Sequence, residues 1–209
     1  MRNYLYMTNR PNITRRRFLV SSFLILPELE LAGSFFDWQT LAATRELQAT
    51  PSCGDADGTT PQQTAGPFFK PRSPERKSLL EAGIRGSKII LEGLVRSTKC
   101  QPIHNALVDF WQADANGDYD NSGFRLRGHQ FTDAVGKYRL ETIVPGVYPG
   151  RTRHFHVRVQ APNGPLLTTQ LYFPGETENR RDGIFNAKLL MAVNDSANVK
   201  AANFDFVLR

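Results

Sequence analysis

Short runs in which apolar and polar residues alternate recur along the chain from residue 84 onward, separated by turn-forming residues. Alternation with a period of two is typical of strands that bury one face. The pattern predicts strands over six segments: 88–96, 107–112, 138–143, 155–161, 167–173 and 203–208. Only residues 73–83 and 185–192 have a pattern typical of short helices. Because many short strands with little helix favour packed sheets, the predicted fold is an all-β, antiparallel β-sandwich.

The segment before the first predicted strand is rich in proline. Five prolines fall within residues 51–75, among them Pro51, Pro61, Pro67 and Pro71. Proline fixes φ and disfavours the helical region for the residue before it, so this segment is expected to lie extended over the surface of the sandwich. We divide the chain into a leader (residues 1–44), an arm (residues 45–83) and a β-sandwich core (residues 84–209).

The leader has the pattern of an export signal. Its segment Thr14–Leu19 contains three consecutive arginines and resembles the twin-arginine signal, in which two arginines precede a variable residue, Phe and Leu. The apolar run that follows, residues 18–26, ends at Pro27 and is too short for a stable membrane span. The sequence therefore predicts export to the periplasm or the exterior. The cleavage position stays open, because small residues at 32–34 and at 41–43 both suit a signal peptidase.

The positive charge of the chain is partly due to this leader. The whole chain carries 26 Lys and Arg against 20 Asp and Glu, a net charge of +6. Removal of residues 1–44 takes away five arginines and three acidic residues, which leaves +4. A nucleic-acid-binding function, which would rest on charge alone, is correspondingly disfavoured.

The chain contains two cysteines, Cys53 and Cys100. In an oxidising compartment they can pair, and a loop of this length would stabilise the fold by about 4 kcal/mol in the chain-entropy treatment. Export therefore favours a Cys53–Cys100 disulfide, with two unpaired thiols as the alternative.

Candidate chemistry lies in the segment 154–161, where even positions are polar and odd positions apolar. His154 and His156 therefore lie on the same face of one strand, close enough to bind a single metal ion. Two exposed histidines on a polar face would give the same pattern. Tyr119 and Tyr148 each lie in a loop rich in turn residues, from which a side chain can be held in a fixed position.

Five motifs, in order and in spacing, resemble those of the intradiol ring-cleavage dioxygenases, a family that includes catechol 1,2- and protocatechuate 3,4-dioxygenases. The resemblance spans residues 60–175 and rests on these segments: 117–119, 132–138, 145–148, 151–156 and 167–170. It implies a non-haem Fe(III) held by four ligands: Tyr119, Tyr148, His154 and His156. It also implies catalytic roles for Arg151, for Gln170 and for Tyr148, which the substrate would displace from the metal.

The same resemblance implies a catechol-type substrate and O2, with cleavage between the two hydroxylated carbons to give a muconate-type diacid. Residues 64–69 and 120–127 are the candidates for the wall that contacts the ring, and Trp111 is predicted to lie in the hydrophobic core. The alternative function is a secreted transthyretin-like binding or accessory module without catalysis, because such domains share the short strands and the Gly136–Gly146 turn pattern. No nucleic acid or membrane partner is predicted, and homo-oligomer formation, the identity of the catechol and the physiological role stay open.

Overall fold

The computed structural model describes residues 58–195 and 199–209, and these residues form nine strands in two sheets. The strands are β1 (Lys88–Ser97), β2 (Leu107–Trp111), β3 (Arg127–Phe131), β4 (Lys137–Ile143), β5 (His154–Gln160), β6 (Leu166–Tyr172), β7 (Ala192–Asn194), β8 (Lys200–Asn203) and β9 (Phe206–Leu208). No α-helix occurs in these residues; Thr177–Arg180 and Ala187–Leu189 form single 3-10 turns. The all-β prediction is confirmed.

The two sheets differ in the direction of their strands. One sheet has the order β3-β2-β5-β6 and is antiparallel throughout. The other has the order β4-β1-β8-β7, and the C-terminal strand β9 also pairs with β1. Strands β8 and β9 run parallel to β1, whereas β4 is antiparallel to it. The C-terminal strands thus complete the second sheet, and they follow all four strands of the first sheet along the chain.

The core lies between the two sheets and is built by the alternation predicted from the sequence. On β5, Phe155, Val157 and Val159 have no solvent exposure and point into the core. Phe110 of β2 and Leu171 of β6 extend the same apolar face. Because successive side chains of a strand point to opposite faces, the other face of the four-stranded sheet receives the polar residues of these strands.

The arm covers that polar face. Near one end, the amide of Gln63 donates to the carbonyl of Thr168 on β6, at 2.8 Å. Near the other end, the amide of Arg76 donates to the carbonyl of His129 on β3, also at 2.8 Å. Residues 63–76 therefore cross the whole four-stranded sheet. The described part of the arm is irregular in backbone conformation.

The helix predicted over residues 73–83 is wrong. Glu75 and Ser78 form isolated bridges to His129 of β3 and Glu141 of β4. The amide of Leu79 donates to the carbonyl of Glu141, at 2.8 Å, and Leu79 is fully buried. These backbone groups bond to the two sheets, which excludes bonding along a helix. In the second predicted helix, residues 185–192, only the 3-10 turn Ala187–Leu189 forms.

The strand predicted over residues 203–208 is divided in two, and β3 and β7 were not predicted. The break falls at Phe204 and Asp205, where the Asp205 carboxylate accepts a hydrogen bond from the amide of Leu94, at 2.8 Å, and pairs with Arg96. This polar anchor lies where pairing with β1 passes from β8 to β9.

Several predictions lie outside the described residues, namely the export leader, its cleavage position and Cys53. The pairing of Cys53 with Cys100 therefore stays a prediction. Within the described residues, no helix combines the length and the apolar character that crossing a membrane requires.

Candidate metal and substrate site

Both candidate histidines lie on the covered face of the four-stranded sheet. His154 and His156 are buried, with exposed fractions of 4% and 2%. In the strand register, His154 stands opposite Tyr172 of β6, and His156 stands between Trp111 of β2 and Gln170 of β6. The predicted placement of the two imidazoles on one face is what the structure shows.

The two imidazoles converge at their Nε2 atoms, which are 3.1 Å apart. His154 Nδ1 lies 2.6 Å from the carbonyl oxygen of Thr152. Because a carbonyl can only accept a hydrogen bond, Nδ1 of His154 carries the proton and Nε2 retains its lone pair. A histidine that binds a metal commonly donates its other N–H to a carbonyl in this way.

His156 is enclosed by apolar and aromatic groups. Its ring stacks on the indole of Trp111, with centroids 4.9 Å apart and planes inclined by 5°. A Cβ built on Gly66 of the arm would lie 3.2 Å from its Cε1 atom, so the arm passes directly over the ring. Nδ1 of His156 is buried without a hydrogen-bond partner among the described residues. Trp111 is buried, as predicted, but it packs beside the site instead of in the core between the sheets.

Burial keeps both imidazoles neutral. Desolvation lowers the pKa of His154 to about 4, against the effect of its bond to the Thr152 carbonyl. Desolvation also lowers the pKa of His156, and electrostatic interactions with His154, Arg151 and Arg127 lower it further. Neutral imidazoles offer lone pairs, so the site is prepared to bind a cation at neutral pH.

The two tyrosines are carried by loops that touch through their backbones. The first tyrosine loop (residues 112–119) follows β2, and the second (residues 144–148) follows β4. The amide of Gly146 donates to the carbonyl of Asp114, at 2.6 Å. A Cβ on Gly117 would collide with the carbonyl of Val147, and one on Gly146 would lie 2.6 Å from the carbonyl of Ala115. Glycine is therefore required at both positions for the loops to approach each other.

This contact brings the phenol ring of Tyr119 to His156 and the ring of Tyr148 to Tyr119. The rings of Tyr119 and Tyr148 are 6.2 Å apart between centroids, and the ring of Tyr119 is 6.1 Å from that of His156. Phe68 of the arm stacks on Tyr119 at 4.4 Å and meets Tyr148 edge-on at 5.5 Å. Burial raises the pKa of Tyr119 to about 12, although Arg151 and Arg127 act in the opposite direction. The Tyr119 phenol thus keeps its proton at neutral pH until a cation replaces it.

Arg151 and Gln170 are in direct contact. Arg151 Nη2 donates to Gln170 Oε1, at 2.5 Å, and Gln170 Nε2 donates to the carbonyl of Thr64 in the arm, at 3.0 Å. Tyr172 also donates to Gln170 Oε1, at 3.1 Å. Gln170 stands opposite His156 in the strand register, so the Arg151–Gln170 pair lies beside the histidines.

Sequence reasoning missed two charged residues that organise this site. Arg127 of β3 is 1% exposed, and it donates to the carbonyls of Phe68, at 2.6 Å, and Asp120, at 2.9 Å. It thereby joins the arm to the chain that follows Tyr119. Asp182 accepts a hydrogen bond from Nε of Arg151, at 2.9 Å. No local motif marks either residue for this role, because their partners are distant in sequence. Arg127 was included only as the last residue of the candidate wall segment 120–127.

The donor set fits a metal ion of a particular kind. In the parts of the chain that the structure describes, no three His, Cys, Asp or Glu side chains come together as a metal site. A metal at His154 and His156 would therefore draw on Tyr119 and Tyr148 as further ligands. The set of two histidines and one carboxylate that is typical of ferrous sites is not present among these residues. Phenolate oxygens, in contrast, are hard, anionic donors that suit a ferric ion.

A family model described as "Dioxygenase" matches residues 64–209, which include every candidate site residue. The chain belongs to the intradiol ring-cleavage dioxygenases. The match covers the described arm from residue 64 onward together with both sheets, so the family model includes this part of the arm.

Known members of the intradiol dioxygenases differ in their similarity to this one. The solved dioxygenase domain of a dioxygenase carbohydrate-binding protein fusion from Streptomyces sp. SirexAA-E is 53% identical, with a TM-score of 0.70, and the match covers 72% of this chain and 97% of that one. The protocatechuate 3,4-dioxygenase beta chain of Burkholderia cepacia is 31% identical over 59% of this chain and 65% of its own length. Hydroxyquinol 1,2-dioxygenase of Nocardioides simplex is 28% identical over 88% of this chain and 66% of its own. The chain thus spans slightly less than two thirds of the length of these two curated relatives.

The buried, neutral histidine predicts how the protein, prepared without added metal, responds to acid. His154 takes up a proton near pH 6.5 when unfolded but only near pH 4 when folded. Between these values the unfolded state binds more protons, so the free energy of unfolding falls as the pH is lowered, by about 3 kcal/mol for this residue. Urea unfolding from pH 7 to pH 4 measures the slope. His154→Gln should reduce the slope and His104→Gln, at an exposed position, should not; equal slopes in both variants would contradict the assignment.

The contact between the tyrosine loops predicts different outcomes for two glycine substitutions. Gly117 and Gly83 both have positive φ, +93° and +79°, so alanine at either costs about 1–2 kcal/mol of backbone strain. Only Gly117→Ala also introduces a collision, with the Val147 carbonyl; a Cβ on Gly83 has no atom within 4 Å. We expect Gly117→Ala to destabilise the protein by at least about 2 kcal/mol more than Gly83→Ala and to change the near-ultraviolet circular dichroism of the tyrosines. Similar unfolding curves for both variants would show that the loops do not depend on this contact.

Proposed function

We propose that the protein is a non-haem ferric dioxygenase that cleaves a catechol-type ring between its two hydroxylated carbons. The observation that carries the proposal is the convergence of two neutral imidazoles and two phenols beside an arginine, on one covered face of the sheet. The family membership and the named activities of its relatives support the same reaction class. In the overall reaction, a catechol and one O2 combine, one carbon–carbon bond breaks, and both oxygen atoms are retained in a muconate-type diacid.

The four ligands would be Tyr119, Tyr148, His154 and His156. Two phenolates and one hydroxide balance the charge of a ferric ion, which matters because an uncompensated charge in a buried site is costly. The bound ferric ion would supply the means to make a coordinated catechol electron-rich and reactive toward O2. Loading releases the phenol protons of both tyrosines, so iron binding should be weaker in acid.

The side chains of the protein have separate tasks in this proposal. With iron bound, the phenolate oxygen of Tyr148 would be the base that accepts one of the two catechol protons. The guanidinium of Arg151 provides fixed positive charge for the negative charge that develops on the substrate. Gln170 holds Arg151 through the 2.5 Å bond, and its own amide is anchored to the arm at Thr64.

The arm supplies the wall against which a substrate ring would pack. Phe68 lies against both tyrosines, and its carbonyl is held by Arg127. Known relatives are named for protocatechuate and for hydroxyquinol, which share two adjacent hydroxyl groups and differ in the other substituents. We therefore assign the substrate class as catechols, with ring substituents facing residues 64–69 and 120–127.

We further propose that the protein is exported and carries a Cys53–Cys100 disulfide. The support is the twin-arginine pattern of residues 14–19 and the presence of only two cysteines in a chain directed to an oxidising compartment. Intact-mass spectrometry of the protein recovered from the exterior of the cell tests both. A mature start between residues 35 and 50 with no free thiol is expected; an intact N-terminus or two free thiols would contradict one proposal or the other.

Iron loading and oxygen consumption test the proposed reaction. The protein loaded with ferric iron should be burgundy to red, since phenolate-to-iron charge transfer absorbs visible light, and its colour should shift when catechol is added. Catechol, protocatechuate, hydroxyquinol and substituted catechols are then compared by oxygen uptake, with one O2 consumed for each ring cleaved. A protein that stays colourless after ferric reconstitution and consumes no oxygen with any of them would refute the proposal.

Two substitutions separate the roles of the ligands. Tyr148→Phe should lower turnover at least 100-fold while much of the iron is retained, because three ligands remain and the missing oxygen is the one that accepts a proton. His156→Ala should lose iron. Tyr138→Phe, in the core, and His104→Ala, at an exposed position, are matched controls that should retain both. Equal loss of iron in Tyr148→Phe and His156→Ala would contradict the assignment of Tyr148 as the displaced ligand.

A further inference from the structure

Asp182 is a buried carboxylate that neither the sequence motifs nor the proposed reaction accounts for. It lies in the loop that follows β6, and its side chain is 1% exposed. Oδ2 accepts hydrogen bonds from Nε of Arg151 and from the amide of Thr152, both at 2.9 Å. Oδ1 accepts from the amide of Ile184, at 3.1 Å. Burial raises its pKa, but these hydrogen bonds and the charge of Arg151 outweigh burial, so the pKa lies below its usual value and Asp182 is ionised.

The first consequence concerns Arg151. Its guanidinium is held at Nε by Asp182 and at Nη2 by Gln170. Two anchors on different nitrogen atoms fix both the position and the plane of the group, which one anchor cannot do. The side chain of Arg151 remains 19% exposed, so the guanidinium is fixed without being sealed off. An arginine held in this way needs little reorganisation when charge develops beside it.

The second consequence concerns His154. Thr152, whose carbonyl receives the Nδ1 proton of His154, is itself fully buried. Its amide is bound by Asp182, and its hydroxyl donates to Oδ1 of Asn179, at 2.7 Å, in the same loop. Thr152 is thus fixed from the loop side, and its carbonyl in turn fixes the tautomer and the direction of the His154 ring.

We propose that Asp182 is a positioning residue. Its carboxylate fixes the substrate-facing Arg151 directly and the metal-binding His154 through Thr152. The proposal rests on the proposed function for the roles of Arg151 and His154. An anchor with no such role would only attach the loop after β6 to the start of β5. If Asp182 is a positioning residue, its substitution should affect iron binding and the function of Arg151. If it is only an anchor, its substitution should affect folding alone.

The test is Asp182→Asn, which retains an oxygen for the Thr152 amide but removes the charge and one acceptor. Glu176→Gln is the matched control, because Glu176 lies in the same loop and pairs with Arg153, at 3.0 Å, two residues from Arg151. We expect Asp182→Asn to lower kcat about 10–100-fold and to weaken the retention of ferric iron during dialysis against a chelator about 10-fold. Glu176→Gln should change neither quantity by more than about threefold, in keeping with a pair that is partly exposed.

A double-mutant cycle with Arg151→Gln shows whether Asp182 acts through the arginine. If it does, the double variant should turn over within about threefold of Arg151→Gln alone, because the residue to be positioned is already gone. Multiplicative losses in kcat, or an Asp182→Asn protein with kcat and iron retention like those of Glu176→Gln, would overturn the proposal. If Asp182→Asn does not fold, the cycle is repeated with Asp182→Glu, which keeps the charge but displaces it. If the wild-type protein cleaves no catechol, the proposed function fails, and iron retention still decides whether Asp182 supports His154.

Discussion

The burial of two neutral imidazoles beneath the arm is the constraint on which the site depends. His154 and His156 are polar residues on a sheet face that would otherwise meet water. Because the arm passes over His156 at Gly66, both rings lose solvent and stay uncharged. The uncharged rings bring their Nε2 atoms to within 3.1 Å of each other. Two charged rings would repel each other at this distance. The packing of the arm on this face therefore both covers the imidazoles and keeps them neutral, as cation binding requires.

Three separate parts of the chain deliver the remaining groups to this point. The two tyrosine loops leave strands of different sheets, β2 and β4, and meet through backbone atoms at Gly117 and Gly146. Neither loop would hold its phenol in place alone, since each is braced by the other. Arg127 then ties the chain after Tyr119 to the arm. The sandwich thus supplies a rigid floor, while contacts between loops set the distances among the functional side chains.

Strand periodicity was sufficient to predict the β-sandwich and the common face of the two histidines, because alternation along β5 is a local property. It could not assign the face of Trp111, since residues 107–111 include apolar side chains on both faces of β2. The arm was misread as helical near Ser73 because its partners, His129 and Glu141, are distant in sequence. Asp182 and Arg127 were missed for the same reason: each matters through bonds to groups about 30 to 60 residues away.

The route of the arm also has a consequence for the solubility of the protein. The outermost strands of the four-stranded sheet, β3 and β6, would present unpaired amide and carbonyl groups, which invite another chain to add a strand. Residues 74–76 bond to His129 on one border, and Gln63 bonds to Thr168 on the other. A chain shortened within this segment would therefore lose the cover over its two histidines and also its protection against self-association. Such a truncation should allow copies of the chain to pair by strand addition.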